Sequence, residues 1–290
     1  MIGICDMSRL EQCVETAFER NSHPESNCAF CSSSRKSILQ DFEFIISDPG
    51  CRMVGHFDNG ALTGFLGCFF NPDNNWVDCI GPFFKSEWNH AHAADMFLFA
   101  EAELVKAVRF NFYFNAENKN CHRLMEALSA ERNDNEYILT LDASDYEPLQ
   151  PERRVVNYAD NYGSELIHLH DTTFPDIYVT GKGITDSVGK TREVFCALDE
   201  HGTFAGYGVL KYADNTKYMA AEIFAIKKEK RGQGYGRALL NSVANSAFNN
   251  HNGSTVHLVV DKLNADAKSL YYSFGFKLKT ENEAFCKKSS

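Results

Sequence analysis

The sequence predicts an α+β (α/β) chain built from two similar halves, and three observations carry that expectation. An apolar, strand-like run at 221–226 passes through a glycine-rich turn into a helix-like run at 237–248. A second strand, STVHLVV at 254–260, leads into a helix that Asn264 caps and Gly275 stops. The same strand, cap and helix occur earlier: the alternating run 110–114 is followed by Asn118 and Leu124, and 264 less 118 and 270 less 124 both give 146. Repeats of that length are duplicated domains rather than solenoid units.

Taken in order, residues 1–20 carry acids and no apolar signal core, and they read as an amphipathic helix. Cys28-Ala29-Phe30-Cys31 is a lone CxxC near His23, without partners at a zinc-like spacing, so no metal site is expected. Asp58 to Phe65 and Glu200 to Tyr207 both read as β-hairpins with a glycine-containing turn, at an offset of 142. A short gap therefore separates the two offsets. Acids and prolines in DYEPLQP, 145–151, mark the linker, giving domains at 1–145 and 151–290. A helix is expected over 164–173, carrying His168, His170 and Asp171.

The turn Arg231-Gly232-Gln233-Gly234-Tyr235-Gly236 holds the chemistry. Its glycines let the backbone turn tightly and approach a ligand. The amides that open the next helix point outward at the positive end of its dipole, which makes an anion site. Lys227, Lys228, Lys230, Arg231 and Arg237 crowd this loop in a chain of net charge -10. The spacing is not that of a P-loop or of a G-x-G-x-x-G dinucleotide fingerprint. A ligand with several phosphates is the natural occupant.

Together, R-G-x-G-x-G, a helix, a strand and then N-x-x-A-x-x-L-Y-x-x-x-G-F, as they stand at 231–236 and 264–276, resemble the GNAT acyltransferase superfamily. The resemblance extends over about 153–286. It implies, for each half, a mixed, mostly antiparallel twisted sheet flanked by helices. It implies acetyl-CoA as cosubstrate, the strand around Phe224, Ala225 and Ile226 along the pantetheine arm, and the loop 231–236 with Arg237 on the pyrophosphate. Asn264 and Ala267 belong to the second signature segment. Tyr271 aligns with the general acid that protonates the departing thiolate, and Glu222 is the candidate base, placed on one strand face with Phe224 and Ile226. His168, His170, Asp171 and Tyr178 are acceptor-side candidates, each also readable as an ordinary surface or core residue.

At offset 146 the three glycines fall on Ser86, Trp88 and His90, and Tyr271 falls on Met125, which donates no proton. The first half reads as a degenerate copy without acyl-CoA binding. Its rival is an unrelated α+β domain with a chance match. The expected reaction is direct acetyl transfer to a small amine. Competing readings are a non-catalytic acyl-CoA sensor and transfer to a hydroxyl, thiol or protein amine. Ten scattered cysteines read as free thiols, and no apolar run reaches about 18 residues, so a cytoplasmic protein without a membrane span is expected. No basic, aromatic stripe outside the loop points to nucleic acid.

Overall fold

The computed structural model describes residues 1–150, 153–175, 177–212 and 217–289, with the side chain of residue 134 left aside. By internal contacts the chain forms two units, Met1–Glu136 with Glu281–Ser290, and Tyr137–Thr280.

The first unit begins with a strand where a helix is expected. Ile2, Gly3 and Ile4 form β1 (Ile2–Ile4), paired antiparallel with His56, Gly55 and Val54. Three residues are too few to show strand periodicity in a sequence. Asp6 then caps a short 3-10 turn, and α1 (Leu10–Asn21) and α2 (Arg35–Ser47) follow. The sheet continues with β2 (Arg52–Asp58), β3 (Ala61–Asn71), β4 (Trp76–Phe84), α3 (His90–Glu103), β5 (Arg109–Asn115) and α4 (Lys119–Ala127). β6 (Glu131–Asp142) leaves this unit after residue 136.

In the second unit, β7 (Arg154–Asn157), α5 (Gly163–Thr173) and α6 (Gly181–Asp186) precede β8 (Arg192–Leu198), β9 (Phe204–Lys211) and β10 (Tyr218–Ile226). α7 (Tyr235–Asn245), β11 (Thr255–Asp261), α8 (Ala265–Phe274) and β12 (Lys277–Lys288) complete the order. Residues 145–150, expected as linker, lie in this unit. Tyr146 packs at a tilt on Phe248 and donates to Oδ1 of Asn241, whose other hydrogen bonds hold Leu149. Pro151 lies outside the described residues. From Asn282 to Lys288, β12 runs antiparallel to β5, from Asn115 to Arg109, and so belongs to the first unit's sheet.

The two units repeat one plan. Each has an antiparallel meander and then a parallel strand reached through a helix. The parallel ladders start at Trp76–Arg109 and at Tyr218–Thr255. Those starting positions differ by 142 on the first strand and 146 on the second, the two offsets read from the sequence. Asn118 and Asn264 cap α4 and α8, accepting from the amides of Cys121 and Ala267 at 3.1 Å each. Gly275 stops α8 at φ +111°. The expected hairpin turns sit at Asn59-Gly60, both left-handed, and at Gly202. Each sheet buries side chains on both faces. In the second unit, Leu239, Leu240, Val243 and Leu258 form one core under α7, and Leu166, Ile184, Val194 and Tyr207 form the other under α5 and α6. All ten cysteines are buried and free. Among the described residues no helix is long and apolar enough to cross a membrane.

Gly64 and Gly206 occupy the same place in the two copies, where a neighbouring strand comes close. A Cβ on Gly206 would stand 2.4 Å from the Ala225 carbonyl oxygen, while on Gly64 it would meet the Phe84 ring at 2.6 Å. A carbonyl in a ladder has nowhere to go, whereas a ring can turn. Gly206→Ala is expected to cost about 3 kcal/mol and Gly64→Ala less. Denaturant midpoints of the two variants check this, and equal losses would contradict it.

Candidate active site

β10 and β11 are hydrogen-bonded neighbours only from Tyr218–Thr255 to Ala220–His257. Beyond that pair β10 runs on to Ile226 and β11 to Asp261 without pairing each other. A cleft therefore opens between two strands of one sheet. At its wide end lies the glycine loop. Gly232 and Gly234 are left-handed, at φ +70° and +87°, and Gly234 is the N-cap of α7 with no side chain capping the helix. Uncapped amides at a helix start attract an anion. A Cβ on Gly232 would meet nothing within 4 Å, so that side is open. Gly236 is close to Leu270 of α8, and the Tyr235 side chain is buried in the core, leaving its backbone to the loop.

The loop is held from behind. Arg153 donates from Nε to the Gln233 carbonyl at 2.8 Å and lies 5.2 Å above the Tyr235 ring. Gln233 in turn donates to the Glu229 carbonyl at 2.9 Å. Of the expected cations, Lys230 is paired with Asp199 at 2.7 Å and Lys227 with Glu165 at 2.9 Å. Arg231 donates to the Ile226 carbonyl, and Arg237 to Ser273 on α8. The Lys228 side chain is exposed.

Tyr271 lies against the same cleft. Its ring is 6.5 Å from Phe224 of β10 and 6.0 Å from Phe276. Among the described residues its hydroxyl has no hydrogen-bond partner, and burial pushes the phenol up to about 12, so it stays protonated across the physiological range. Tyr272 turns outward. Asn264 and Ala267 are engaged with each other in the α8 cap.

Glu222 does not share a face with Phe224 and Ile226. A β-bulge between Ala221 and Ile223 inserts Glu222 as an extra residue against β9. The phase of the strand changes there, because a bulge breaks the alternation of faces. Phe224 and Ile226 pack toward α7, while Ile223 and Ala225 join the core under α5 and α6. The Glu222 carboxylate accepts from Arg192 Nε at 2.6 Å, Arg192 Nη2 at 2.8 Å and the Tyr178 hydroxyl at 2.5 Å, with Lys211 Nζ 3.2 Å away. Its side chain is 5% exposed. Burial raises its proton affinity, but Arg192, Tyr178 and Lys211 together outweigh burial and hold the carboxyl below its ordinary range. Such a carboxylate is a poor proton acceptor.

Of the acceptor-side candidates, His170 is a core residue, bonded through Nδ1 to the Tyr207 hydroxyl at 2.5 Å and through Nε2 to the Val179 carbonyl at 2.8 Å. Asp171 accepts from the Gly181 amide, and His168 is exposed. Asp176 lies outside the described residues. Arg153, Arg192 and Lys211 are missed by sequence reasoning. The one available signal is a charge at each end of an apolar strand, Arg192 opening β8 and Lys211 closing β9.

The first unit lacks these features. Its β4–α3 loop has five residues, 85–89, against eight, 227–234, in the second. Asn89 caps α3 through its side chain, accepting from the His92 amide, and Trp88 packs edge-on against Phe84 at 5.2 Å. The counterpart of the cleft is filled from within. Cys28 bridges Phe114 of β5, the Ala29 amide donates to the Tyr113 carbonyl at 2.7 Å, and Cys28 Sγ reaches the Cys79 carbonyl of β4 at 3.7 Å.

Residues 158–276 match the acetyltransferase (GNAT) family. No curated protein matches the sequence. Among solved structures, a GCN5-related N-acetyltransferase from Sphaerobacter thermophilus is similar over 99% of this chain and 95% of its own, at 13% identity and a TM-score of 0.75. A tandem GNAT protein from the clavulanic acid biosynthesis pathway is similar over 100% and 98%, at 13% identity and a TM-score of 0.71. An acetyltransferase of the GNAT family from Colwellia psychrerythraea is similar over 99% and 100%, at 16% identity and a TM-score of 0.60. At such identities the likeness is one of fold.

Arg192→Met is expected to destabilise the protein by about 3 kcal/mol, because it leaves a buried carboxylate short of its strongest partner. Adding Glu222→Gln should recover most of that loss. Chemical denaturation of both variants measures it. A double variant no more stable than the single one would show that the cost is packing, not charge.

Proposed function

We infer that this chain, a tandem protein of the GNAT superfamily, is an acyltransferase that moves an acetyl group from acetyl-CoA directly to a small amine. The observation that carries this reading is the combination of a parted strand pair with an open, uncapped helix start at its wide end. An extended pantetheine arm fits the first, using the backbone of Phe224, Ala225 and Ile226. A pyrophosphate fits the second, at Arg231 to Arg237.

In this reaction the amine nitrogen attacks the thioester carbonyl carbon, the carbon–sulfur bond breaks, and the amine loses a proton as the thiolate gains one. Strand amides in the cleft stabilise the oxyanion. Tyr271 gives the proton to the sulfur. A phenol held protonated by burial is suited to that role, since only the basic thiolate draws the proton away. Glu222 keeps Arg192, Tyr178 and Lys211 in place on the acceptor side. No cysteine in this arrangement carries the acyl group. The acceptor class is tested by a panel of amines with acetyl-CoA, read as free thiol released.

Coenzyme A is expected to bind once per chain, in the second unit. Gly234→Val should abolish that binding, because a β-branched residue resists the left-handed backbone that Gly234 adopts. Calorimetry with two equivalent sites, or with undiminished affinity in the variant, would falsify the assignment. Tyr271→Phe should keep coenzyme A affinity and lower kcat by about a hundredfold to ten-thousandfold. Full kcat where chemistry limits the rate would move the acid role elsewhere.

A further inference from the structure

One row of residues crosses four strands at the narrow end of the cleft. Arg192 of β8 is opposite Lys211 of β9, Lys211 is opposite Ala220 of β10, and Ala220 is opposite His257 of β11. Residues paired across a sheet point to the same face. This is the face of α5 and α6, because Val194 and Val209, two residues along from Arg192 and Lys211, lie in that core. Met219, Ala221, Val256 and Leu258 point the other way, into the core under α7. Ala220 is the small member of the row. Lys211 and His257 are two strand spacings apart, about 9.6 Å between their backbones, with only a methyl group between them. The row is therefore a trough floored by Ala220 at the last hydrogen-bonded pair before the strands part. Lys211 and Glu222 stand on one wall, His257 on the other.

His257 is half-buried beside the trough. Its ring stacks on Tyr218 at 4.4 Å and 8°. Nδ1 is shut from water and has no hydrogen-bond partner among the described residues. Nε2 is the ring nitrogen left to meet a ligand. Burial lowers the imidazole's proton affinity, the Met219 carbonyl restores part of it, and the Lys211 ammonium lowers it again. The other charged or titratable groups around the trough are Glu222, tied to Arg192 and Tyr178, and Asp142, which accepts from Thr255 and bears on Tyr218. At neutral pH the ring is uncharged and has a lone pair to offer.

We propose that His257 is the proton acceptor for the incoming amine, with Ala220 as the floor on which that amine sits. The inference rests on the acetyl-transfer reading. An alkylammonium of pKa about 10.4 gives its first proton to solvent. The neutral nitrogen then forms its bond to the carbonyl carbon, and the remaining excess proton passes to His257 Nε2, making imidazolium. The electron pair of the carbon–sulfur bond leaves with the sulfur, which takes the Tyr271 proton. Imidazolium and phenolate then exchange one proton through solvent, and the site is restored.

The test is the pH profile of kcat/KM for full-length protein, with acetyl-CoA and the best amine of the panel. In the wild type the rate should fall on acidification, as His257 becomes charged and loses its lone pair. His257→Gln should lower kcat about a hundredfold to ten-thousandfold, keep coenzyme A affinity, and flatten that acid limb. Lys211→Met should shift the limb to higher pH, because it removes a cation that opposes protonation. Lys211→Met keeps the test open should His257→Gln fail to fold. Full rate with an intact acid limb in His257→Gln overturns the inference alone. So does a limb that stays put in Lys211→Met while the His257 proton resonance moves. Wild-type protein that releases no thiol with any amine overturns both this inference and the acetyl-transfer reading.

Discussion

The second unit depends on one extra residue in a strand. Glu222 is inserted at a bulge in β10, and the bulge changes which residues face which core. Before it, Met219 and Ala221 pack under α7. After it, Ile223 and Ala225 pack on the opposite side. A buried acid at such a point is costly unless charges meet it, and Arg192 meets it with two nitrogens. The pair spans β8 and β10 and ties the loop carrying Tyr178 to the sheet. The parting of β10 from β11 begins two residues before the bulge, at Ala220. The cleft, the change of face and the anchored Tyr178 loop are therefore one local event in the backbone.

The first unit shows the same plan put to another use. Ile80 stands where Glu222 does, by the offset of 142, so the counterpart of the bulged acid is apolar and sits in a core. The strand gap there is closed by Cys28 and Ala29. Asn21 fixes that segment, accepting from the Cys28 amide at 2.7 Å and donating to the Cys31 carbonyl at 3.0 Å. The CxxC spacing thus serves a turn packed against β5, with both thiols buried.

What could be read from the sequence was local. Asn118 and Asn264 declare their caps within three residues, Gly275 its left-handed stop, and Asn59-Gly60 its hairpin. The repeat was legible because equal offsets survive where side chains diverge. What stayed hidden was relational. Nothing in AAEIFAI tells that one position is a bulge, so the face assigned to Glu222 was wrong. Its partner is 30 residues away, and a lone arginine opening a strand has no signature. Arg153 and His257 matter through which strand end or loop they reach, and that is set by register. β1 was too short to register, and the return of β12 to the first unit follows from pairing over a separation no local pattern encodes.

That return makes the first unit discontinuous in sequence. Residues 282–288 supply a strand to β5, yet they follow the whole of the second unit along the chain. During synthesis, β5 must wait on that side while about 165 further residues are made, some ten to thirty seconds at common elongation rates. Phe110 and Phe112, which alternate into the first core, are then held by one flanking strand instead of two. An unpaired strand edge is where chains stick to their neighbours. The bridge from Cys28 to Phe114 lies on the β4 side of β5 and leaves the opposite edge uncovered. That edge of β5 therefore stays open until residues 282–288 have been made.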